Sequence, residues 1–226
     1  MSKTAAVATI AKHLRSASHR HRVDTVFDDW IALIAWEIRR VPGQALEVDA
    51  LAHYQAHIER LDRREYTMDQ WDHMLTALAT LQESLATTWG DPLGQVFHAL
   101  ELHNTYQGQF FTPYEISRCM AAMTVTASVD TLIDEQGWVS VLDPACGAGS
   151  QLISFAEAVV ARGHDRSAIR AVGVDIDYRC VLMSYIQTSM LGIPAVIHYG
   201  NSLSDTSHGM PWKTTTRRQI ITEVAA

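Results

Sequence analysis

The chain has 226 residues, 47% of them hydrophobic and 19% charged, a composition that fits a globular protein and excludes a disordered one. A chain of this length can bury one substantial core or two small ones. Its formal net charge of -7 is unfavourable for gripping DNA unaided, because phosphate binding is driven by Lys and Arg. Three dispersed cysteines, Cys119, Cys146 and Cys180, point to reduced thiols and a cytoplasmic setting. No apolar run approaches membrane-spanning length and no signal-type apolar core opens the chain, so no membrane partner is expected.

Residues 1–22 carry a basic cluster of His13, Arg15, His19, Arg20, His21 and Arg22. The spacing reads as a solvated, partly frayed leader, with a phosphate-contacting arm as the alternative. From residue 23 to 40 the apolar positions Val23, Val26, Phe27, Trp30, Ile34 and Ile38 recur at helical spacing. Pro42-Gly43 then breaks the helix. A second amphipathic run carries Leu51, Tyr54, Ile58 and Leu61, and a third carries Trp71, Met74, Leu78, Leu81 and Leu85. Three such helices can close a small bundle, so residues 1–90 are expected to form an all-α region. His53 and His57 lie one turn apart. Tyr54 stands where a zinc-protease helix needs Glu, and no third ligand is evident, so both read as helix-surface histidines and no metal site is expected.

Gly90 ends the third helix, Asp91 can cap the next one, and Pro92 suits its first position. Further on comes Gly108-Gln109-Phe110-Phe111-Thr112-Pro113. Two aromatics give an apolar wall, Thr112 offers a hydroxyl and a helix cap, and Pro113 starts a helix over residues 114–123.

About thirty residues later the chain reads Val139-Ser140-Val141-Leu142, a β-prone run, then Asp143-Pro144-Ala145-Cys146-Gly147-Ala148-Gly149-Ser150, then a helical stretch over 151–162. Strand, glycine turn and helix make a nucleotide-type site. Gly147 and Gly149 allow close approach of a ligand to the main chain, and the helix start offers free N–H groups. The turn has neither GK[ST] nor a full GxGxxG, and Asp143 would repel phosphate, so a cationic or hydroxyl-bearing ligand fits better. A second strand over 171–174 leads to Asp175-Ile176-Asp177. An acid there can accept hydrogen bonds from two ribose hydroxyls, while Asp177 can cap the helix over 178–190. A third strand over 195–199 ends in Gly200-Asn201-Ser202-Leu203, where Asn201 can both donate and accept. The alternative for Asn201 is a simple Asn turn.

Asp-Pro-Ala-Cys-Gly-Ala-Gly resembles the S-adenosylmethionine (SAM) loop of adenine-N6 DNA methyltransferases, in particular the modification subunits of type I restriction systems. The Gly-x-Phe-Phe-Thr-Pro run resembles the element that closes over the methionine end of the cofactor in that family. The resemblance implies a Rossmann-like α/β fold with a partial sheet over residues 91–226, and SAM as cofactor. It implies cofactor contacts from Phe110, Phe111, Thr112 and Pro113. The glycine turn adds Asp143, Pro144, Ala145, Gly147 and Gly149, and the later strand ends add Asp175, Ile176, Asn201 and Ser202. Asp175 matches the ribose-binding acid of the family, and Asn201 its adenine-edge residue. The family commonly has Cys in this turn without using it chemically, so Cys146 is not expected to act as a nucleophile.

The family's Asn-Pro-Pro-Tyr or Asn-Pro-Pro-Phe motif, which holds a flipped adenine, does not occur. Ile220-Ile221-Thr222 resembles the end of the fourth strand, and Glu223 is the polar residue standing where that motif belongs, so it is the candidate catalytic residue. A sheet stopping there would expose Ile220, Ile221 and Val224 to self-association or to a partner chain. DNA contact is expected to be weak, through Arg15 to Arg22 or through Lys213, Arg217 and Arg218. Two functions follow. One is a SAM-dependent DNA adenine-N6 methyltransferase that draws on a partner for methyl transfer. The other is an inactive SAM-binding protein acting on a restriction-modification or DNA-processing complex. Retention of Asp143, Gly147, Gly149 and Asp175 disfavours a third, a structural remnant that binds neither.

Overall fold

Nine α-helices and five strands follow one another among the residues that the computed structural model describes, 2–40, 46–102, 111–204 and 206–214. The N-terminal part is helical: α1 (Lys3–Ala17), α2 (Val23–Arg39), α3 (Val48–Asp62), α4 (Met68–Thr87) and α5 (Pro92–Ala99). Then come α6 (Tyr114–Thr124), α7 (Ala127–Gln136), β1 (Val139–Asp143), α8 (Ser150–Ala161), β2 (Ile169–Asp175), α9 (Tyr178–Met190) and β3 (Ala195–Asn201). Two short strands, β4 (Thr206–Ser207) and β5 (Trp212–Lys213), complete the order.

The leader is not frayed. Ser2 caps α1 by accepting from the Ala5 N–H, and Ala6, Ile10, Ala11, Leu14 and Ala17 form a buried stripe. That stripe packs on α4 and α5, so the helix is held by tertiary burial rather than by its own propensity. Its arginines turn outward. Arg15 donates to the Ala99 carbonyl, and Arg22 pairs with Asp24 at 2.7 Å. The small residues hid this helix: the stripe is mostly alanine, which signals weakly as an apolar face.

The later helices start where their caps say. Thr67 and Gln70 form a reciprocal capping box at α4. Asp91 accepts from the Gly94 N–H at the start of α5, with Pro92 in the first position. The apolar face of α2 lies on α9 and α3, burying Phe27, Trp30 and Ile31. Each such side chain contributes about 1.5–3 kcal/mol when fully buried. Trp30 keeps its indole N–H satisfied by donating to the Met74 carbonyl at 3.0 Å. The apolar residues of the helices and of the sheet form one contiguous core.

The sheet is Rossmann-like in its first three strands. β1 pairs parallel with β2, and β2 parallel with β3, joined by α8 and α9. The register sets Asp143 beside Gly173 and Asp175 beside Tyr199, so the strand ends lie along one edge. After β3 the chain turns back: β4 and β5 both pair antiparallel with β3. These two strands are two residues each, too short for alternation to reveal. The expected fourth strand at 220–222 lies outside the described residues, as do Glu223 and the predicted exposed edge at Ile220, Ile221 and Val224. Among the described residues no helix is long and apolar enough to cross a membrane, and no group of three or more His, Cys, Asp or Glu is placed to hold a metal ion.

Candidate functional site: the glycine turn

At the C-terminal ends of β1 and β2, the turn at residues 144–149 is held by its own backbone and by two acids. The Cys146 N–H donates to the Val174 carbonyl at 2.9 Å, tying the turn to β2. The Gly149 N–H donates back to the Cys146 carbonyl at 2.8 Å. Gly147 has φ +52 and Gly149 has φ +91, the left-handed region that favours glycine. Space is as restrictive as angle. A Cβ on Gly147 would sit 3.1 Å from the Phe111 ring, and one on Gly149 would sit 2.8 Å from Ser184 Oγ.

Asp143 is buried and accepts from the Ala145 N–H at 3.1 Å. Burial raises its pKa, and that N–H opposes the shift. Asp175 accepts from the Gly147 N–H at 2.8 Å with one oxygen and from the Asp177 N–H at 2.9 Å with the other. Burial raises the Asp175 pKa as well; Asp177 and Asp143 add to this, and the two backbone donors oppose it. The carboxylate thus clasps the end of β2 to the glycine turn. Each oxygen retains a lone pair for a ligand. Asp177 caps α9 through the Arg179 N–H at 2.9 Å, as its position predicts.

Phe111 reaches this turn from far upstream. Its ring stacks on Phe97 at 5.3 Å between centroids and meets His98 edge-on at 5.2 Å. Behind it, Tyr114 donates to Glu157 at 2.8 Å and Ser117 meets Ser150 at 3.0 Å, which locks α6 onto α8. Thr112 does not cap α6. Pro113 occupies the cap position and no side-chain cap bond forms, because the helix starts at Tyr114 and is held by α8 instead. Pro144 and Ala145 lie in the turn, Ile176 is 69% exposed beside Asp175, and Ser202 is exposed beyond β3. Asn201 ends β3, and its Oδ1 accepts from the Leu203 N–H at 3.0 Å, so it forms an Asn turn. Phe110 and Glu223 lie outside the described residues.

Two contributors carry no motif. Gln187 on α9 is fully buried. Its Nε2 donates to Asp91 at 2.8 Å and to the Ala148 carbonyl at 2.7 Å, and its Oε1 accepts from the Leu93 N–H at 2.9 Å. The start of α5 and the glycine turn are therefore fixed to one side chain. Burial raises the Asp91 pKa, against the Gln187 and Gly94 hydrogen bonds. Ser184, one turn earlier on α9, sets the limit on Gly149. Cys146 is buried, and burial with Asp175 and Asp143 nearby pushes its thiol far above the ordinary value, so it is no nucleophile.

A family model described as N-6 DNA Methylase matches residues 94–222, more than half of the chain. No curated protein matches. Among solved structures, a protein described as a class I S-adenosylmethionine-dependent methyltransferase from Listeria monocytogenes aligns with TM-score 0.49 and 14% identity, covering 89% of this chain and 55% of that one. The type I restriction-modification system methyltransferase subunit from Streptococcus thermophilus aligns with TM-score 0.48 and 13% identity, covering 91% of this chain and 60% of that one. The chain thus spans less than two thirds of either structure.

Proposed function

The chain belongs to the N-6 DNA methylase family, and from that membership we propose that it binds SAM at the glycine turn and serves adenine-N6 methylation of DNA. One observation carries the reading. The Asp175 carboxylate, the Gly147 N–H and the Phe111 ring, from three separate motifs, meet at one turn. A turn with no room for a Cβ, one buried and one half-buried carboxylate and an aromatic wall fits a cationic, ribose-bearing ligand.

When bound, SAM supplies the methyl group. The protein's part is to bind and orient. Asp175 would accept hydrogen bonds from the ribose hydroxyls, and Asp143 would add a second carboxylate suited to a cationic ligand. Phe111, with Thr112 and Pro113, walls the methionine end. Exposed Ile176 and the Asn201–Ser202 turn would hold the adenine. Residues 1–90 form the helical region and residues 91–226 the SAM-binding region. DNA contact is weak for the chain alone, and a partner chain completes the base-binding pocket. The alternative reading is a SAM-binding protein without transfer that acts on a restriction-modification or DNA-processing complex.

Calorimetric titration tests the first step. SAM should bind with saturable heat, and Asp175→Ala should weaken it by about 1–3 kcal/mol, the scale of charge-assisted hydrogen bonds. No heat at millimolar SAM would refute it. Digestion of DNA incubated with the protein and SAM, followed by mass spectrometry for N6-methyladenine, separates the two readings.

A further inference from the structure

On the far edge of the sheet, beyond β3, α2 and α3 face the β3–β5 turns across a cleft of about 590 Å³. None of Phe111, Asp143, Gly147, Asp175 or Asn201 lines it. Its floor is aromatic. Trp36 of α2 and Trp212 of β5 meet edge-on at 4.8 Å, with the Arg39 guanidinium 5.1 Å from the Trp212 ring centre and donating to the Pro211 carbonyl at 3.2 Å. Tyr178 and Tyr199 stand 5.4 Å apart in its wall, and Tyr178 is 41% exposed.

His57 is not the surface histidine that its helix position suggests. It is 4% exposed and lines this cleft. Its Nδ1 lies 2.8 Å from an Arg60 nitrogen, and Arg can only donate, so Nδ1 accepts and the ring proton sits on Nε2. Burial, with Arg60 beside it, lowers the His57 pKa to about 4, so the ring is neutral at pH 7. The Nε2–H has no hydrogen-bond partner among the described residues. A buried donor left unpaired costs about 1–3 kcal/mol; Nε2 is itself closed to solvent behind the cleft surface, so an acceptor in the cleft meets it only when the His57 ring turns toward the cleft.

The electrostatics agree. The chain is acidic overall, yet Arg39, Arg60, His53 and His208 line the cleft and, among the described residues, no Asp or Glu does. Nearby Asp29 is shared between Arg60 at 3.2 Å and Arg64 at 3.0 Å, so its single charge is divided between two cations. Aromatic faces, one orphaned N–H and a cationic rim match a planar base bearing a ring acceptor and a phosphate.

We propose that this cleft is a second binding site, for a nucleotide unit, separate from the glycine turn. The base stacks on the tyrosine wall and accepts from His57 Nε2–H once the His57 ring turns toward the cleft, and the phosphate is met by Arg60 and the rim histidines. The unit is either a free nucleoside monophosphate or an unstacked nucleotide of a single strand.

The test uses the full chain and AMP, followed by quenching of tryptophan fluorescence. AMP should quench saturably in the submillimolar range, equally in wild type and in Asp175→Ala, and with or without saturating SAM. His57→Phe, which keeps the ring and removes the donor, should weaken AMP about tenfold, one hydrogen bond's worth. Tyr199→Ala serves the same purpose if His57→Phe does not fold, as judged by its melting curve. Adenosine should bind more weakly than AMP. A short oligo(dA) that binds more tightly than AMP identifies a strand as the source, and one that binds no better identifies the free nucleotide. No quenching at millimolar AMP overturns the proposal. So does quenching that SAM or Asp175→Ala removes, which would place AMP in the cofactor site. Equal affinity in both cleft variants overturns it too.

Discussion

The glycine turn and the β3-edge cleft lie at the two sides of one small sheet and are built in opposite ways. At the turn nearly every polar group has a partner: Asp175 with Gly147 and Asp177, Asp143 with Ala145, Gln187 with Asp91, Leu93 and Ala148. The cleft keeps an orphaned His57 donor and a half-exposed tyrosine wall. The turn is preorganised by paired hydrogen bonds, both between neighbours such as Asp143 and Ala145 and from distant residues such as Asp175 and Gln187, whereas the cleft leaves a polar donor without a partner among the described residues and aromatic faces open. A preorganised site resists substitution strongly, and an open one tolerates it, so the two should differ in stability response.

The largest expected effect is at the turn. Gln187→Leu leaves the Asp91 carboxyl, the Leu93 N–H and the Ala148 carbonyl buried without their partner, and should cost about 3–5 kcal/mol in urea unfolding. A loss under about 1 kcal/mol would show that the network does not hold the turn.

A glycine pair sharpens the contrast. Gly149→Ala meets both φ +91 and Ser184 Oγ at 2.8 Å, whereas Gly209, in the cleft wall, has φ +70 and open space around a Cβ. Gly149→Ala should cost about 2–3 kcal/mol and Gly209→Ala about 1 kcal/mol. Equal costs would break the comparison.

Between the two regions, Asp28 of α2 is pushed up to about 6 by burial, with Asp177, Asp24 and Asp29 adding and Arg179 opposing. The folded state then holds its proton more tightly than the unfolded state does. Stability from this group is present below pH 4 and lost as pH rises through 6. Asp28→Asn should therefore stabilise by about 1–3 kcal/mol at pH 7, with the gain fading toward pH 4 in melting curves. A constant gain across that range would remove the titration from the account.

The smallest effect belongs to the surface. Arg22 pairs with Asp24 while 84% exposed, so Arg22→Ala should move the melting temperature hardly at all. A clear fall would mean that the pair anchors the junction of α1 and α2.

What the residues themselves determine is local. Asp143 to Ser150 spells its turn because positive φ needs glycine and because the strand before it and the helix after it have different periods. Asp91 with Pro92, and Asp177, mark their helices because a cap is a contact within three residues. Only the tertiary structure decides the rest. It docks α1 through a mostly alanine stripe, folds β4 and β5 back on β3, and turns His57 from a helix surface into a cleft wall. It also makes Gln187 the tie between α5 and the glycine turn, a role invisible in a helix sequence because its partners lie about forty to a hundred residues away. Periodicity and caps report neighbours along the chain. Burial and orphaned donors depend on which distant surfaces meet, and that is settled by packing.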